Sequence, residues 1–359
     1  MAYNPGMTQI TLALPFALPP PEMAPDLQRV MQTPALATLL SRHSKLTTFN
    51  FDNSGRVLPH EAWLAHALGL APAPAPDSPD AGAPLAAAVL RGFGLGVDEG
   101  YWFMLQPAHV QISRTHMLLS DPRQLRLDPA DSRALFDLVQ PYAEELGKTM
   151  VYADASLWLM RADDWAGLKT TTVDAVLGQS MSDWLPQGEH SRNYRKLQNE
   201  AQMLWHEHPV NEARAARGLQ PLNAFWLWGG ADAGGTPSAC RPVAIGGGPA
   251  WMQALAQPAG QPTADQLLAQ AKDKGQATAM LADLIPDAIA GDWAAWLAIM
   301  QRLEQEWFAP LLAALNDGRI GQLTLLASHR DGWREISTSK MALRKFWRKP
   351  NLNILLSPT

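Results

Sequence analysis

The sequence predicts an α/β fold: a largely parallel sheet flanked by helices, with a small inserted α+β domain. Three observations predict it. An apolar strand-like segment, Gln9 to Leu18, is followed by a run with helical spacing from Leu27 to Leu40. The run LNAFWLWGG, residues 222–230, is apolar without alternation and ends in two glycines, as expected of a strand buried on both faces in a parallel sheet. Between these, residues 101–160 give a strand, strand, helix, strand, strand order, which suits a compact α+β unit.

Each element has a local reason. Thr33-Pro34 precedes an apolar run, and proline in the first turn after a threonine cap starts a helix. Glu61 to Leu70 is a short helix, and the Pro/Ala-rich stretch 71–84 is an extended linker. Strands are expected at Tyr101–Gln106 and His116–Leu119, then a helix from Ser132 to Leu146 stopped by Gly147. Strands Thr149–Ala153 and Leu157–Met160 follow. Ser191 is placed as the cap of a helix that His208-Pro209 ends, because a residue before proline is pushed out of the α region. CRPVAIGGG (240–248) reads as a short strand ending in glycines, with no Lys-Ser/Thr behind it to make a phosphate loop. Thr263 to Leu284 is expected to be helical. Asp292 caps a long helix whose stripe runs from Trp293 to Leu315 and stops at Gly318. Strand Gln322–Ala327 and a basic, aromatic helical tail close the chain. The domain organisation read from this is core 1–95, an insertion 96–170, and core 171–359.

The densest cluster of unusual residues lies between Arg195 and Gly235. Asn199, Gln202 and His206 stack on one helix face, either as a hydrogen-bonded packing seam or as a pocket wall. His206 and His208 are two residues apart, about 200° on a helix, so they share a metal only if the helix ends between them. Asn211 and Asn223 are placed to tie loop backbone to the core, and Arg214 to pair with Glu200 or sit as a helix-end charge. Trp226 and Trp228 share one face of their strand, for core packing or ligand stacking. All nine, Asn199 to Trp228, are candidate ligand-binding residues.

HPVNEARAARGLQPLNAFWLWGG (208–230) resembles the H-P-V-N-x-x-R…P-x-N-x-x-W-L-W-G segment of the cofactor-independent, archaeal-type phosphoglycerate mutases, in the alkaline phosphatase superfamily. Thr33-Pro34-x-Leu36-x-x-Leu39 is similar to the helix after the first strand there. The whole chain resembles the proteobacterial branch of RpfE-type regulatory proteins. The resemblance implies an alkaline-phosphatase-like core, a divalent two-metal centre held by Asp and His, and an insertion that grips a phosphorylated substrate. The sequence departs from that pattern at several places. Pro15-Phe16 stands where the first strand should end in a metal-binding aspartate, and Ser328-His329 where Asp-His is expected. Val173-Asp174 replaces a histidine segment. Met104-Leu105-Gln106 occupies a place for a basic residue, with Asp121, Arg123 and Arg126 as remnants of the phosphate grip.

These departures imply a phosphoglycerate-mutase-like protein that is catalytically degenerate and acts as a regulatory or ligand-binding protein. No cofactor is then expected. The enzymatic alternative is a phosphotransferase, mutase or phosphatase with manganese or magnesium in a rearranged site of His329, Asp331 and Asp174. The third alternative is a nucleic-acid-associated protein acting through Lys340, Arg344, Lys345, Arg348 and Lys349, which surround Phe346 and Trp347. Against it, those aromatics are expected to latch onto the core, and the net charge is -5. The expected partner is a small phosphorylated ligand or a protein, with no membrane. No apolar run approaches the ~18 residues of a spanning helix, and the N-terminus lacks a basic, uninterrupted signal. The single cysteine, Cys240, suits a reducing cytoplasm.

Overall fold

The structure, a computed structural model, describes residues 8–51, 55–73, 82–96, 99–112, 116–234 and 241–355. Cys240 and linker positions 74–81 lie outside them. The chain divides into two compact units, Met1–Asn53 with Arg241–Thr359, and Ser54–Cys240. The expected insertion 96–170 falls within the second. In chain order the strands are β1 (Gln9–Leu14), β2 (Lys45–Asn50), β3 (Tyr101–Ala108), β4 (Val110–Ile112), β5 (Met117–Leu119) and β6 (Thr149–Asp154). They continue with β7 (Leu157–Arg161), β8 (Ala224–Asp232), β9 (Ala244–Gly246), β10 (Gln276–Leu281), β11 (Gln322–His329) and β12 (Gly332–Ser339).

In the first unit a six-stranded sheet has the order β2-β12-β11-β1-β10-β9. β1 pairs in parallel with both β10 and β11, and β9 continues the parallel set. β12 and β2 add an antiparallel edge. This is the mostly parallel α/β sheet that the sequence predicts. Ile10, Leu12 and Leu14 of β1 are buried in a core with Trp296, Trp307 and Phe308. Three details differ from expectation. The stretch 263–284 is not one helix: Ala264–Lys274 stops at left-handed Gly275, and β10 follows. β2 and β12 carried no clear alternation and were not expected. Thr33 makes no side-chain cap on the helix Pro34–Ser41. Instead Glu304, buried in a π-turn at Glu304–Phe308, accepts from the amides of Ala35 (2.6 Å) and Leu36 (3.1 Å). A carboxylate at a helix N-terminus meets two orphan donors and the favourable end of the dipole.

The second unit is built on a four-stranded antiparallel sheet, β6-β7-β3-β8. The tryptophan-rich strand is therefore not in the parallel sheet: β8 runs antiparallel to β3 at the sheet edge. Its continuous apolar run reports burial on two faces, which helices can supply to an antiparallel strand equally well. On one face lies the helix Ser191–His206, whose Tyr194 hydroxyl donates to the Phe225 carbonyl (3.2 Å). That helix begins with no side-chain cap from Ser191. The glycines also have a packing reason. Gly229 sits at φ 72°, where the β3–β8 register shifts, and a Cβ there would strike Met104.

Replacing Glu304 by Ala leaves two buried amides without an acceptor. We expect this to cost about 2 kcal/mol, read as a lower denaturant midpoint with an unchanged m-value. Thr33→Ala, which removes no cap bond, is expected to cost less than half of that.

Candidate functional site

The first unit carries a cavity of about 450 Å³ at the carboxyl ends of β1 and β11, the place where open parallel sheets bind ligands. Phe16, Trp293, His329, Arg330, Asp331 and Arg334 are among its walls. The two strand ends are tied to each other. Ser328 Oγ accepts from the Phe16 amide (3.3 Å), the Ser328 carbonyl accepts from the Leu18 amide (3.1 Å), and Trp296 Nε1 donates to the Phe16 carbonyl (2.9 Å). Phe16 is held at φ 56°, a strained setting for a residue with a side chain. Both positions where the resemblance expects acids thus carry side chains with no carboxylate.

Among the walls, His329 Nδ1 accepts from the Asp331 amide (3.1 Å), so a neutral ring carries its proton on Nε2. Burial holds the His329 pKa below its ordinary value. Asp331, its Oδ2 3.9 Å away, opposes that shift, and Arg334 adds to it. Burial likewise lowers the Arg334 guanidinium, which donates to the Ile354 carbonyl. His329 Nε2 is itself buried, close to Gly332, so the charged groups of the walls are the two guanidinium groups of Arg330 and Arg334 beside one carboxylate of Asp331 and one of Glu22.

The second unit holds a buried polar cluster that sequence reasoning missed. His60 and Glu61 open the helix Pro59–Ala67, and Asp174 comes from the turn Val173–Val176. Their ligand atoms lie within 4.8 Å of one another. Arg123 grips both Asp174 oxygens, at 2.9 and 3.3 Å, and Asp121 at 2.8 Å. Glu61 Oε2 accepts from the Leu58 amide (2.8 Å) and the Thr172 hydroxyl (2.6 Å). Burial, then the charge of Asp174, pushes the Glu61 pKa up to about 8. Burial, then Arg123, pushes His60 down to about 3. Burial alone would lower the Arg123 pKa, but the two carboxylates raise it. Near neutral pH the cluster holds one proton on Glu61, a neutral imidazole and a guanidinium between two carboxylates. A neutral imidazole and two carboxyl groups are also a donor set that suits a divalent ion. The signal in the sequence was His60-Glu61 after Leu58-Pro59, with no visible link to Asp174.

The predicted site residues are dispersed. Asn199, Gln202 and His206 are exposed on the outer face of their helix, neither a packing seam nor a pocket wall. His208 caps the next helix, its Nδ1 accepting from the Val210 amide (3.3 Å). Asn211 is buried and fully engaged, donating to the Trp205 and Leu222 carbonyls and accepting from the Leu222 amide. Asn223 ties down both backbone groups of Val110. Arg214 pairs with no carboxylate among the described residues. It donates to the carbonyls of Gln220 (3.0 Å) and Leu125 (2.6 Å), and burial lowers its pKa. Trp226 donates to the Thr171 carbonyl (2.7 Å), and Trp228 is buried with it. Of the rearranged metal set, His329 and Asp331 face each other in the first unit, and Asp174 sits in the second, in the grip of Arg123. The motif residues 208–230 are thus mostly structural ties, which explains why a long pattern carries a fold without exposing its chemistry.

Glu61 sets a pH dependence. Its folded pKa lies above its ordinary value of 4.5, so the folded state binds more protons than the unfolded state between about 4.5 and 8. That contribution is complete below 4.5 and is lost as pH rises through 8. His60 acts oppositely, but only between about 3 and 6.5. Above pH 6.5 the Glu61 effect stands alone. Glu61→Gln should remove this loss, so the variant gains stability relative to the parent on going from pH 6.5 to 9 in urea denaturation.

No protein-family model matches the chain. Over 62 residues it is 39% identical to the 2,3-bisphosphoglycerate-independent phosphoglycerate mutase of Methanothrix thermoacetophila, covering 17% of this chain and 16% of that protein. Over 147 residues it is 24% identical to a probable mutase of the same description from Geobacter sulfurreducens, covering 39% and 36%. The matched segments thus span about a sixth and about a third of these curated relatives. Among solved structures, the PH0037 protein of Pyrococcus horikoshii superposes with a TM-score of 0.52 at 11% identity, covering 93% of this chain and 87% of that one. A cofactor-independent phosphoglycerate mutase from Thermoplasma acidophilum gives a TM-score of 0.49 at 12% identity, covering 98% and 95%. The chain is phosphoglycerate-mutase-like over part of its sequence, and its fold is the alkaline-phosphatase-like α/β architecture.

Proposed function

We propose that this protein is a phosphoglycerate-mutase-like binding protein that has given up two-metal chemistry and holds a small phosphorylated ligand at the carboxyl edge of its parallel sheet. One observation carries the reading: Phe16 and Ser328 stand where metal-binding acids are expected, and they are hydrogen-bonded to each other. The second support is the character of the cavity. Its volume of about 450 Å³ suits a small metabolite. The guanidinium groups of Arg330 and Arg334 suit an anion. A regulatory role, as in the RpfE-type proteins that the sequence resembles, follows from binding without turnover, in the reducing cytoplasm that a single cysteine suits.

Metal-stripped protein refilled with manganese is expected to show no conversion of 3-phosphoglycerate to 2-phosphoglycerate. Steady turnover proportional to protein would overturn the reading. In calorimetric titration, 3-phosphoglycerate or inorganic phosphate should bind, and Arg330→Ala should weaken that binding by about tenfold, the loss of one charge-assisted hydrogen bond.

One observation favours an enzymatic reading: the buried His60, Glu61 and Asp174 trio beside the Thr172 hydroxyl. If that trio takes a divalent ion, Glu61 must release its proton and the Arg123–Asp174 grip must loosen. Elemental analysis decides it. An equimolar divalent ion that His60→Ala abolishes supports the enzymatic reading, and a metal-free protein after mild purification opposes it.

A further inference from the structure

The stretch 340–349, KMALRKFWRK, carries five cations and no acid. It is not the helix that the sequence suggests: one 3-10 turn, Ala342–Arg344, leads into an irregular loop. Nor do its aromatics latch onto the core. Phe346 is 79% exposed, Trp347 68% and Met341 in the same segment 66%. This is no frayed end, because the loop is pinned on both sides. Ala342 and Leu343 are buried before the two rings, and Leu352 after them. Arg42 donates to the Leu343 carbonyl (3.2 Å) and the Arg348 carbonyl (3.5 Å). Lys345 donates to the His43 carbonyl (3.0 Å), and Arg348 to that of Ser41 (3.4 Å). A loop held this firmly presents two large rings to solvent, against the ordinary gain from burying them.

We propose that this loop docks on an anionic lipid bilayer surface, with Phe346 and Trp347 entering the interface and Lys340, Arg344 and Lys349 facing the lipid phosphates. Charge complementarity selects an anionic partner. The rings select among such partners. Phe346 and Trp347 meet edge to face, with centroids 5.4 Å apart and planes at 79°. Each ring therefore gives part of its surface to the other, which spoils them as separate platforms for stacked bases. Together with Met341 they make one apolar wedge. An aromatic wedge flanked by cations suits the boundary between headgroups and acyl chains, where tryptophan is favoured. Such peripheral contact needs no spanning segment, and no helix among the described residues is long and apolar enough to cross a membrane.

The test is co-sedimentation of the full chain with vesicles of phosphatidylcholine, alone or mixed with phosphatidylserine. The protein should sediment with the mixed vesicles and not with the neutral ones, and added salt should release it. Phe346→Ala with Trp347→Ala should weaken binding at least tenfold. Arg344→Glu with Lys349→Glu should do the same, since each cation near an anionic surface is worth on the order of fivefold. All four residues are exposed, so melting temperatures should stay unchanged. The proposal is overturned if the mixed vesicles do not bind, if the aromatic variant binds as well as the parent, or if a single-stranded oligonucleotide binds more tightly than the vesicles.

Discussion

β1 is bonded in parallel on both sides, residue for residue, to β10 and β11. Everything at the carboxyl edge of that sheet follows from this register. Leu14 pairs opposite Ala327, so Phe16, two residues beyond Leu14, and Ser328, one beyond Ala327, are delivered to one spot. In a two-metal enzyme that spot is filled by acids, whose mutual repulsion only a cation relieves. Here the Phe16 amide donates to the Ser328 hydroxyl instead. The same register places His329 one residue beyond Ser328, where the Asp331 amide fixes its tautomer.

The second unit answers a different problem, that of keeping ionisable groups out of water. Removing carboxyl groups from solvent is costly unless they are paired or protonated. Arg123 pairs with Asp174 and Asp121, while burial and the charge of Asp174 push Glu61 toward its protonated form. The cluster is thus balanced by one guanidinium and one proton. A divalent ion would compete with the proton on Glu61, with the Thr172 and Leu58 bonds to Glu61 kept in place.

Much of the fold was legible in the sequence. Thr33-Pro34, Gly147, Asp292 and Gly318 mark element ends through local backbone chemistry, and each element lies where its signal put it. Strand direction was not legible. The run 224–230 shows two-sided burial, and nothing in its residues distinguishes a parallel neighbour from β3 running the other way. β10 was hidden because Ala277 and Ala279 fit a helix as readily as a strand. Pro15-Phe16 and Ser328 were readable as departures from the expected acids, because residue identity can be compared position by position, and the structure brings the two together. The gains were not. The His60, Glu61 and Asp174 cluster joins residues over a hundred positions apart, and only folding brings them into range. Polar residues that looked like a site, Asn211, Asn223 and Arg214, spend their hydrogen bonds on nearby carbonyls and amides.

The most direct test is anomalous X-ray diffraction at the manganese edge from crystals of the full chain grown with excess manganese. The account requires no ordered manganese at the carboxyl ends of β1 and β11, with Ser328 Oγ still bonded to the Phe16 amide. A pair of manganese peaks there, with Ser328 turned away and His329 and Asp331 as ligands, would contradict it.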